Sequence, residues 1–573
     1  GLGADVMDGG AGDDVIYGDN GAITTRVFNG VTINVMDSNG DADIINGGDG
    51  NDVIYGGGGA DAIDGGDGND TIYGGVGADA LVGWSGDDTF MMDPDDIGFG
   101  NLMDGGIGID TVDYSASVGN GVGTGANRQG VNVNLSNVGP AVVPGVPLAP
   151  QVADAFLSVE RAIGSAYNDT LTGGASVAAN LGLQTDALGQ PINFGTVNAP
   201  VFLPIDFYID GGAGADTLTV SSTQGTNDTA AGRIERVVAG DNATLGFDAQ
   251  GRLTTMDTPD ADIATSGNDS LTVLISGTDV DRQADAVFMA GGLGDDRLVI
   301  NASGKTVTVA SGDNLQMTRT SGDYRLQSAM VSQPSKGGND TLRLGSGTVL
   351  AFGGVGNDQI DIASKAGDLV VAQGDTGYAL FEVGTAQEWL SQIGTTLDTV
   401  GGNDTLSIGA GRVMALGGAG RDTIALRAAD NGQRVVLGDT GQIDLTEGQV
   451  KLVQSTQDDA DALLNADTLV LPSDGQNLVI GGAGPDNLSA IVNTASRYMP
   501  GSGMLESTAN GVQVVSVTVL GNPGEFGMRI DAEGHGSFPA IADDYELVRR
   551  DPALGQTDGG SQTLELTLFG QGD

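Results

Sequence analysis

A nine-residue period runs through residues 47–91 and constrains the fold more than any other feature of the chain. Each unit places glycine at positions one, two and four, aspartate at position six and a large apolar residue at position eight, as in GGDGNDVIY and GGDGNDTIY. Position eight holds Ile54, Ile63, Ile72, Leu81 and Phe90. A single unit cannot bury its one apolar residue, whereas stacked units can. The period therefore predicts a solenoid of short strands.

The loop part of each unit has the chemistry of a calcium site. Glycine permits left-handed backbone angles, so that carbonyl groups can converge on one point. Aspartate at position six adds a hard, anionic oxygen. Carbonyl and carboxylate oxygens together form the ligand set of Ca²⁺ and not that of zinc or copper.

These residues resemble a known family. The pattern GGxGxDxUx is similar to the nonapeptide of RTX calcium-binding proteins, which form parallel β-rolls. The strict motif GGxGxD begins at residues 9, 47, 56, 65, 74, 105, 211, 291, 353, 417 and 481. The alternative for the tandem run is a flexible Gly/Asp-rich linker, and an isolated motif is open to a second interpretation as a calcium-free turn.

The resemblance implies an all-β fold, a parallel β-roll or β-solenoid, here with projecting β-hairpins and loop insertions. In the family two nonapeptides make one turn, so loops on the same side lie 18 residues apart with calcium between them. This pairs Asp52 with Asp70, Asp70 with Asp88, and Asp61 with Asp79. Trp84 replaces the second glycine of its unit, where a Cβ is expected to strain the loop.

The candidate ligands of several Ca²⁺ ions are the position-six aspartates and the loop glycines whose carbonyls would complete each site. The aspartates are Asp14, Asp43, Asp52, Asp61, Asp70, Asp79, Asp88, Asp110, Asp216, Asp296, Asp358, Asp422 and Asp486. The glycines are Gly48, Gly50, Gly57, Gly59, Gly66, Gly68, Gly75 and Gly77.

A longer period of 64 residues underlies the isolated motifs. GGND recurs at 337 and 401, GGxGxD at 353, 417 and 481, and GDTG at 374 and 438. Alternating polar and apolar runs around a turn predict β-hairpin excursions. They lie at 22–36, 243–256, 315–330, 443–453 and 504–517, and the copy after residue 374 contains AQEWLSQI (386–393), which is compatible with a helical turn. We expect the hairpins to pack on the solenoid or on a neighbouring molecule.

The predicted organisation has seven segments. Residues 1–92 form an RTX β-roll with a hairpin excursion at 18–46, and residues 93–206 resemble an RTX spacer with a proline-rich interruption at 140–150 and an irregular insertion at 175–206. Degenerate solenoid modules follow at 207–336, then regular modules at 337–400, 401–464 and 465–524, and a C-terminal solenoid or capping segment at 525–573.

Charge and motifs exclude several classes of function. A net charge of −53 opposes binding to nucleic acid or to an anionic membrane surface. No apolar run is long enough to insert into a membrane. The chain has no cysteine and one histidine, His535, so HExxH and repeated His-based sites are impossible. No enzyme motif was found.

We therefore expect a secreted, calcium-dependent structural protein of the bacterial surface and not an enzyme. It would be a self-assembling layer, a filament or matrix component, or an adhesin rod, with copies of itself or other surface components as partners. The alternative is the non-catalytic RTX portion of an extracellular enzyme or toxin, although the long non-periodic segments, 93–206 and 520–573, are short for a catalytic domain. Polysaccharide binding is a third possibility, but the sequence shows no aromatic ladder to support it.

Overall fold

The computed structural model shows an all-strand chain, which confirms the predicted fold class. It describes residues 1, 3–19, 24–28, 31–35, 39–92, 100–117, 129–135, 154–173, 207–224, 235–248, 253–258, 266–277, 286–302, 306–321, 325–332, 335–383, 388–396, 401–427, 430, 432–455, 467–472, 476–480, 484–493, 496–498, 505–507, 512–521, 529–530, 536–537, 545–548 and 564–570. Within these ranges no helix is long and apolar enough to cross a membrane.

The strands are numbered in chain order. The first part of the chain contains β1 (Val6–Ala11), β2 (Val15–Tyr17), β3 (Thr24–Phe28), β4 (Val31–Val35), β5 (Ile44–Asp49), β6 (Val53–Gly58), β7 (Ala62–Asp67), β8 (Thr71–Val76), β9 (Ala80–Ser85), β10 (Thr89–Met91), β11 (Leu102–Ile107), β12 (Thr111–Asp113), β13 (Gln129–Asn134), β14 (Ala155–Leu157), β15 (Arg161–Ile163), β16 (Asn168–Gly173), β17 (Phe207–Asp210), β18 (Thr217–Gln224) and β19 (Glu235–Ala239). There follow β20 (Thr244–Phe247), β21 (Leu253–Asp257), β22 (Ser270–Gly277), β23 (Ala286–Ala290), β24 (Arg297–Asn301), β25 (Val307–Ser311), β26 (Leu315–Arg319), β27 (Leu326–Val331), β28 (Thr341–Leu344), β29 (Thr348–Phe352), β30 (Gln359–Ile362), β31 (Leu369–Gln373), β32 (Gly377–Val383) and β33 (Glu388–Thr395). The last part contains β34 (Thr405–Ile408), β35 (Arg412–Gly418), β36 (Thr423–Leu426), β37 (Gln433–Asp439), β38 (Gly441–Thr446), β39 (Gln449–Ser455), β40 (Thr468–Pro472), β41 (Gln476–Ile480), β42 (Gly484–Asn493), β43 (Ser496–Tyr498), β44 (Leu505–Ser507), β45 (Val512–Gly521), β46 (Arg529–Ile530), β47 (Gly536–Ser537), β48 (Tyr545–Val548) and β49 (Leu564–Gly570).

The chain divides into two compact units: 1–243 with 261–288, and 244–260 with 289–573. In the first unit successive strands alternate between two parallel sheets. One sheet has the order β1-β5-β7-β9-β11-β14, and the other runs β2-β6-β8-β10-β12-β15-β17-β19. A third parallel run, β13-β16-β18-β22, begins in the spacer segment. The strands alternate between the two sheets because two nonapeptides form one coil and each contributes one strand to it.

The position-eight residues form the core between the sheets of the first unit. Ile45, Ile63 and Leu81 align across one sheet, and each is at most 2% exposed. Ile54, Ile72 and Phe90 align across the other and are fully buried. One inward side chain per strand therefore continues from coil to coil, as the nine-residue period predicts.

Three tyrosines stack on one face of this unit, contrary to the expectation of no aromatic ladder. The rings of Tyr17 and Tyr55 lie 5.3 Å apart at 12°, and those of Tyr55 and Tyr73 lie 4.5 Å apart at 14°. Because the rings stack face to face, they cover the very surfaces that a sugar ring would need. We interpret the ladder as a cross-strand contact that stabilises neighbouring coils.

The second unit explains the 64-residue period. Leu342 of β28 aligns with Ile360 of β30, a step of 18 residues, and Ile360 aligns with Leu406 of β34, a step of 46. Leu406 then aligns with Ile424 of β36, again 18 residues on. A module is thus one short coil followed by one long coil, and the long coil carries the hairpin.

The hairpins of the second unit pair with one another. They form one antiparallel sheet in the order β20-β21-β26-β27-β32-β33-β38-β39. One row across this sheet is apolar and fully buried and consists of Met256, Met317, Ala329, Ala379, Ile393, Ile443 and Val453. Since every module has two coils, all hairpins emerge on the same side and can join edge to edge.

Two local predictions are wrong. The described part of AQEWLSQI, residues 388–393, belongs to β33 and is not helical, because pairing with β32 and β38 overrides its local preference. Residues 504–517 do not form a hairpin of their own, because β44 pairs with β43 and β45 pairs with β42. The predicted proline-rich loop at 140–150, the insertion at 175–206 and His535 lie outside the described residues.

Candidate metal-binding loops

Two glycines shape each loop of the first unit. Gly48 and Gly50, at positions two and four, have φ of 111° and 131°. Gly66 and Gly68 repeat these values one coil later, at 105° and 132°. Side chains other than glycine rarely adopt these angles, so the glycines are required by the backbone path. Gly57, Gly59, Gly75 and Gly77 have the same left-handed conformation on the opposite side.

Trp84 is the exception among the position-two residues. Its φ is 81°, in the same positive range as the 105° of Gly66 and the 95° of Gly106 in the neighbouring coils, and its side chain is 53% exposed. The expected strain at this position is therefore present. A bulky residue held there costs roughly 1–3 kcal/mol.

The position-six aspartates form a hydrogen-bonded column. The backbone N–H of Asp52 donates to Oδ1 of Asp70 at 2.8 Å, and that of Asp70 donates to Oδ1 of Asp88 at 2.8 Å. On the opposite side the N–H of Asp61 donates to Oδ1 of Asp79 at 2.9 Å. The structure thus brings together all three aspartate pairs that were predicted 18 residues apart.

In a repeated set of column aspartates the second carboxylate oxygen is buried and has no hydrogen-bond partner. Among the described residues this holds for Oδ2 of Asp43, Asp52, Asp61, Asp70, Asp88, Asp110, Asp216, Asp340, Asp358, Asp404 and Asp422, all at most 2% exposed. Leaving a buried acceptor unsatisfied costs about 1–3 kcal/mol, and more for a charged group. A repeated orphan of this kind indicates that a ligand completes the loops.

The surroundings of the orphaned oxygen suit a hard cation. A Cβ built on Gly47 would overlap both Asp52 Oδ2 and the carbonyl oxygen of Gly65 in the next coil. The carbonyl oxygens of Gly48 and Gly50 likewise face Gly66 and Gly68. Among the described residues no three His, Cys, Asp or Glu side chains converge on one point, so carbonyl oxygens must supply part of any ligand set. Carboxylate plus carbonyl oxygen is the donor set that Ca²⁺ prefers.

Burial strongly perturbs the protonation of the column. Desolvation raises the pKa of Asp61 and Asp88 from their usual value of 3.8 to about 7, and that of Asp70 to about 6. In the second unit desolvation raises the pKa of Asp358 and Asp422 to about 7. Without a cation, Asp61 and Asp88 in the folded loops therefore lose their protons only as the pH rises through about 7.

Comparison with known families supports this interpretation. The family of the RTX calcium-binding nonapeptide repeat (4 copies) matches residues 1–22, 37–72, 59–90, 158–176, 208–221 and 336–361. The chain carries RTX calcium-binding repeats. No curated protein matches the chain.

The residues of the RTX loops fit calcium. The position-six carboxylates and the glycine carbonyls would hold the ion, and when bound it supplies positive charge between successive coils. The backbone orients the ligands. Each Asp N–H to Oδ1 bond fixes a carboxylate so that its other oxygen points toward Gly47 or the equivalent glycine of another loop.

Sequence analysis missed several members of the column. Asp340 and Asp404 of the two GGND segments stand between predicted ligands: the N–H of Asp340 donates to Oδ1 of Asp358, and that of Asp358 to Oδ1 of Asp404, both at 2.7 Å. Asp296 is joined to Asp340 in the same way at 2.7 Å. Further members are Asp467, which follows Asp422, and Asp169 and Asp269, which flank Asp216. The signal was the dipeptide ND or AD before a short strand.

The first and last of the predicted aspartates, Asp14 and Asp486, differ from the others in burial or in how much of them is described. Asp14 is half-buried, and its N–H donates to Oδ1 of Asp52 at 2.7 Å. Asp43 is buried and its N–H donates to Oδ1 of Asp61 at 2.8 Å. Asp486 lies in β42, and its side chain is outside the described residues. Its predicted role stays a prediction.

A second ladder, at position five, runs in the opposite direction and was not predicted. The N–H of Asn69 donates back to Oδ1 of Asn51 at 2.8 Å, and the N–H of Asn357 donates back to Oδ1 of Asn339 at 2.9 Å. The amide side chain of Asn357 also donates to Asn339 at 2.9 Å. Neighbouring residues of one RTX loop therefore bond to the coil above and to the coil below.

A further aspartate precedes two of the hairpins of the second unit, β26–β27 and β32–β33. Asp313 accepts the N–H of Gly338 at 3.2 Å and that of Val355 at 2.5 Å, and Asp375 accepts the N–H groups of Gly402 and Ala419. The N–H groups that donate to each of these aspartates belong to the next two RTX loops along the chain. The start of each of these two hairpins is thereby fixed to the loops that follow it, so order in the loops positions the hairpin.

The metal-free fold should gain stability as the pH falls. Because burial raises the folded-state pKa of Asp61, Asp88 and Asp358 to about 7, the stabilisation is complete below the unfolded pKa near 3.8 and is lost as pH rises through about 7. We expect the melting temperature of the calcium-stripped chain to be higher at pH 5 than at pH 8, by thermal circular dichroism.

With saturating calcium the trend should reverse, because protons then compete with the ion for the same oxygens. The same chain at the same two pH values with calcium is the control. A metal-free melting temperature that rises with pH would contradict the burial of these carboxylates.

Proposed function

We propose that this chain is a secreted, calcium-dependent structural protein of the bacterial surface. It folds on Ca²⁺ bound between coils and acts as part of a self-assembling layer, a filament or matrix, or an adhesin rod. Its partners would be copies of itself or other surface components. Proteins with RTX repeats are typically secreted, which supports an extracellular location.

The observation that carries the proposal is the column of buried, unpartnered carboxylate oxygens. Asp52, Asp70 and Asp88 are at most 1% exposed and follow one another within hydrogen-bonding distance. Like charges this close destabilise the folded chain unless a cation lies between them. At low calcium the net charge of −53 favours an expanded chain, and at millimolar calcium outside the cell the same charges bind ions and fold.

The hairpin sheet supports a structural role. The second unit has an eight-stranded antiparallel sheet whose apolar row is buried. A row on its other face consists of Thr318, Ser328, Leu380, Gln392 and Asp444. A regular, mostly polar sheet surface is suited to repeated lateral contacts. RTX repeats are a non-catalytic domain, and none of the site geometry described above resembles a reacting centre.

Electron microscopy of the purified chain tests the proposal. We expect ordered sheets, fibres or extended rods with millimolar calcium and none of these with EGTA, and a sample in magnesium alone is the control. Ordered sheets or fibres would indicate self-assembly, and isolated rods would indicate an adhesin stalk. The same compact particles in calcium and in EGTA would overturn a calcium-dependent structural role.

A further inference from the structure

The hairpin β32–β33 is inserted into a single RTX loop. β31 is followed by Gly374 and Asp375, and the chain returns from the hairpin at residues 401–404, immediately before β34. The N–H of Gly354, at position two of the preceding loop, donates to the carbonyl of Gly374 at 3.0 Å, and the N–H of Asp375 donates to that of Gly417 at 3.2 Å. Gly374 and Asp375 are therefore positions one and two of a loop that the hairpin interrupts, which we call a split loop.

The part of the split loop after the hairpin supplies its remaining positions. A Cβ built on Gly402 would overlap the carbonyl oxygen of Gly356, at position four of the preceding loop, and a Cβ on Gly420 would overlap that of Gly402 in the same way. Asp404 stands at position six, and its Oδ1 accepts the N–H of Asp358 at 2.7 Å. The contacts between successive loops thus continue through the split loop although a hairpin interrupts it.

Aspartate replaces glycine at position two of the split loop. Gly354 and Gly418, at position two of uninterrupted loops, have φ of 115° and 114°, whereas Asp375 is not in the left-handed region. Asp375 is fully buried, and its carboxylate accepts the N–H of Gly402 at Oδ1, 3.0 Å away, and the N–H of Ala419 at Oδ2. Gly402 belongs to the other part of the same loop and Ala419 to the next loop. The side chain therefore joins the two parts of the split loop across the hairpin.

The same arrangement occurs at other hairpins. Asp313, before β26–β27, and Asp19, before β3–β4, are equivalent to Asp375. Oδ2 of Asp313 accepts the N–H of Val355 at 2.5 Å, and Oδ2 of Asp19 accepts the N–H of Gly58 at 2.8 Å. Both donors stand at position three of the next RTX loop. Buried aspartates that follow a glycine at the same place before β20–β21 and β38–β39 are Asp241 and Asp439.

The candidate calcium site of the split loop contains atoms from both sides of the hairpin. A Cβ built on Gly374 would overlap Oδ2 of Asp404 and the carbonyl oxygen of Gly417. Gly374 precedes the hairpin and Asp404 follows it, and Oδ2 of Asp404 is one of the orphaned oxygens. Burial and, after it, the charge of Asp375 raise the pKa of Asp404 well above its usual value. A carboxylate at position two is therefore unfavourable beside an empty column and is compatible with one that holds a cation.

We propose that Asp375 and its equivalents are positioning residues for calcium: each closes a split loop across its hairpin, so that the ion site and the packed hairpin form together. The inference rests on the proposed calcium-dependent folding and adds how calcium controls the hairpin sheet. The sheet surface that is suited to lateral contacts is then presented only by the calcium-bound chain.

Trp389 makes packing of the hairpin measurable. It lies in β33, and its ring is 3.1 Å from a Cβ built on Gly448, in the turn between β38 and β39. The chain has two tryptophans, so Trp84→Phe leaves Trp389 as the only one. In this background, during titration with CaCl₂ from EGTA, Trp389 emission reports the hairpin and circular dichroism reports the coils. Both midpoints should coincide.

Adding Asp375→Ala should move the Trp389 midpoint to about tenfold higher calcium, the effect of losing a hydrogen bond to a charged group. The midpoint by circular dichroism should stay, since the other loops are intact. Asp375→Asn keeps one acceptor oxygen and should show a smaller shift. A merely structural role would lower the melting temperature equally in EGTA and in calcium, whereas the positioning role lowers it only in calcium.

Asp368→Ala is the matched control. Asp368 also accepts a backbone N–H, that of Lys365 at 2.7 Å, and it lies at the opposite end of β31 from the split loop. This variant should leave both midpoints unchanged.

The outcomes separate the two proposals. If neither signal of the Trp84→Phe chain responds to calcium, calcium-dependent folding itself is wrong. If circular dichroism responds, the positioning role alone is overturned by a Trp389 signal that is already native in EGTA, by an unmoved Trp389 midpoint in Asp375→Ala, or by an equal shift in Asp368→Ala. Should Asp375→Ala fail to fold, Asp375→Asn gives the same comparison, and an unmoved Trp389 midpoint in that variant overturns the role.

Discussion

Calcium alone should produce a large, cooperative rise of the β-signal in circular dichroism, starting in EGTA from a partly folded chain whose remaining β-structure still melts on heating. Each orphaned carboxylate oxygen, as at Asp52 or Asp404, is a group that folding buries without compensation unless an ion binds. A ligand that binds only the folded state at one hundred times its Kd stabilises that state by about 2.7 kcal/mol per site. Several such sites together contribute more than the free energy of unfolding of a typical domain, which is roughly 5–15 kcal/mol.

Magnesium is the control in this titration. It demands a smaller, octahedral shell and gives up water reluctantly, so it should not replace calcium between glycine carbonyls. A native β-spectrum in EGTA would mean that the aliphatic columns suffice for folding. The carboxylates would then need another explanation.

Replacing Asp70 by alanine should reduce the calcium-dependent gain in melting temperature more than any single exposed carboxylate does. Asp70 lies between two coils: its Oδ1 accepts the N–H of Asp52, and its own N–H donates to Asp88. Its loss removes one oxygen donor from each of two neighbouring sites, and at high calcium the loss of both sites is worth about 5 kcal/mol. The measurement is the difference between melting temperatures with calcium and with EGTA.

Two further variants make this result specific. Asp70→Asn keeps the acceptor for the N–H of Asp52 and removes the charge, so it should still lose most of the calcium-dependent shift. Asp49→Ala removes an exposed carboxylate that aligns with Asp67 in the same sheet, and it should behave as wild type. Equal calcium-dependent shifts for Asp70→Ala and Asp49→Ala would show that the column is not a calcium site.

The tandem part of the fold could be predicted from sequence because its information is local. One apolar residue and one aspartate per nine residues determine both the buried Ile54–Ile72 column and the Asp52–Asp70 contact, since each coil repeats its neighbour. The position-five ladder was equally local, with Asn51 and Asn69 visible in two GND segments, but it was not recognised because asparagine is also an ordinary turn former.

Contacts set by distant registers could not be predicted. Each hairpin can be recognised in the sequence by itself. The residues of β32 and β33, however, do not indicate that these strands pair with β27 and β38. A helical turn in AQEWLSQI was a wrong prediction for the same reason, since strand pairing decides the conformation of residues 388–393.

The long coil of the second unit has two parts: solenoid strands, whose register must stay constant, and a hairpin excursion, whose exposed sequence is free to vary. Ile360 and Leu406 align across 46 residues as closely as Leu342 and Ile360 do across 18, so the chain between them leaves the solenoid and returns without shifting its register. The coils therefore set no length for this excursion, whereas the buried residues Ala379 and Ile393 determine how it pairs with the neighbouring hairpins. Over evolutionary time the sequence of the coils would stay constant while the sequence of the hairpins changes, as the variable loops of antibodies change on a constant framework.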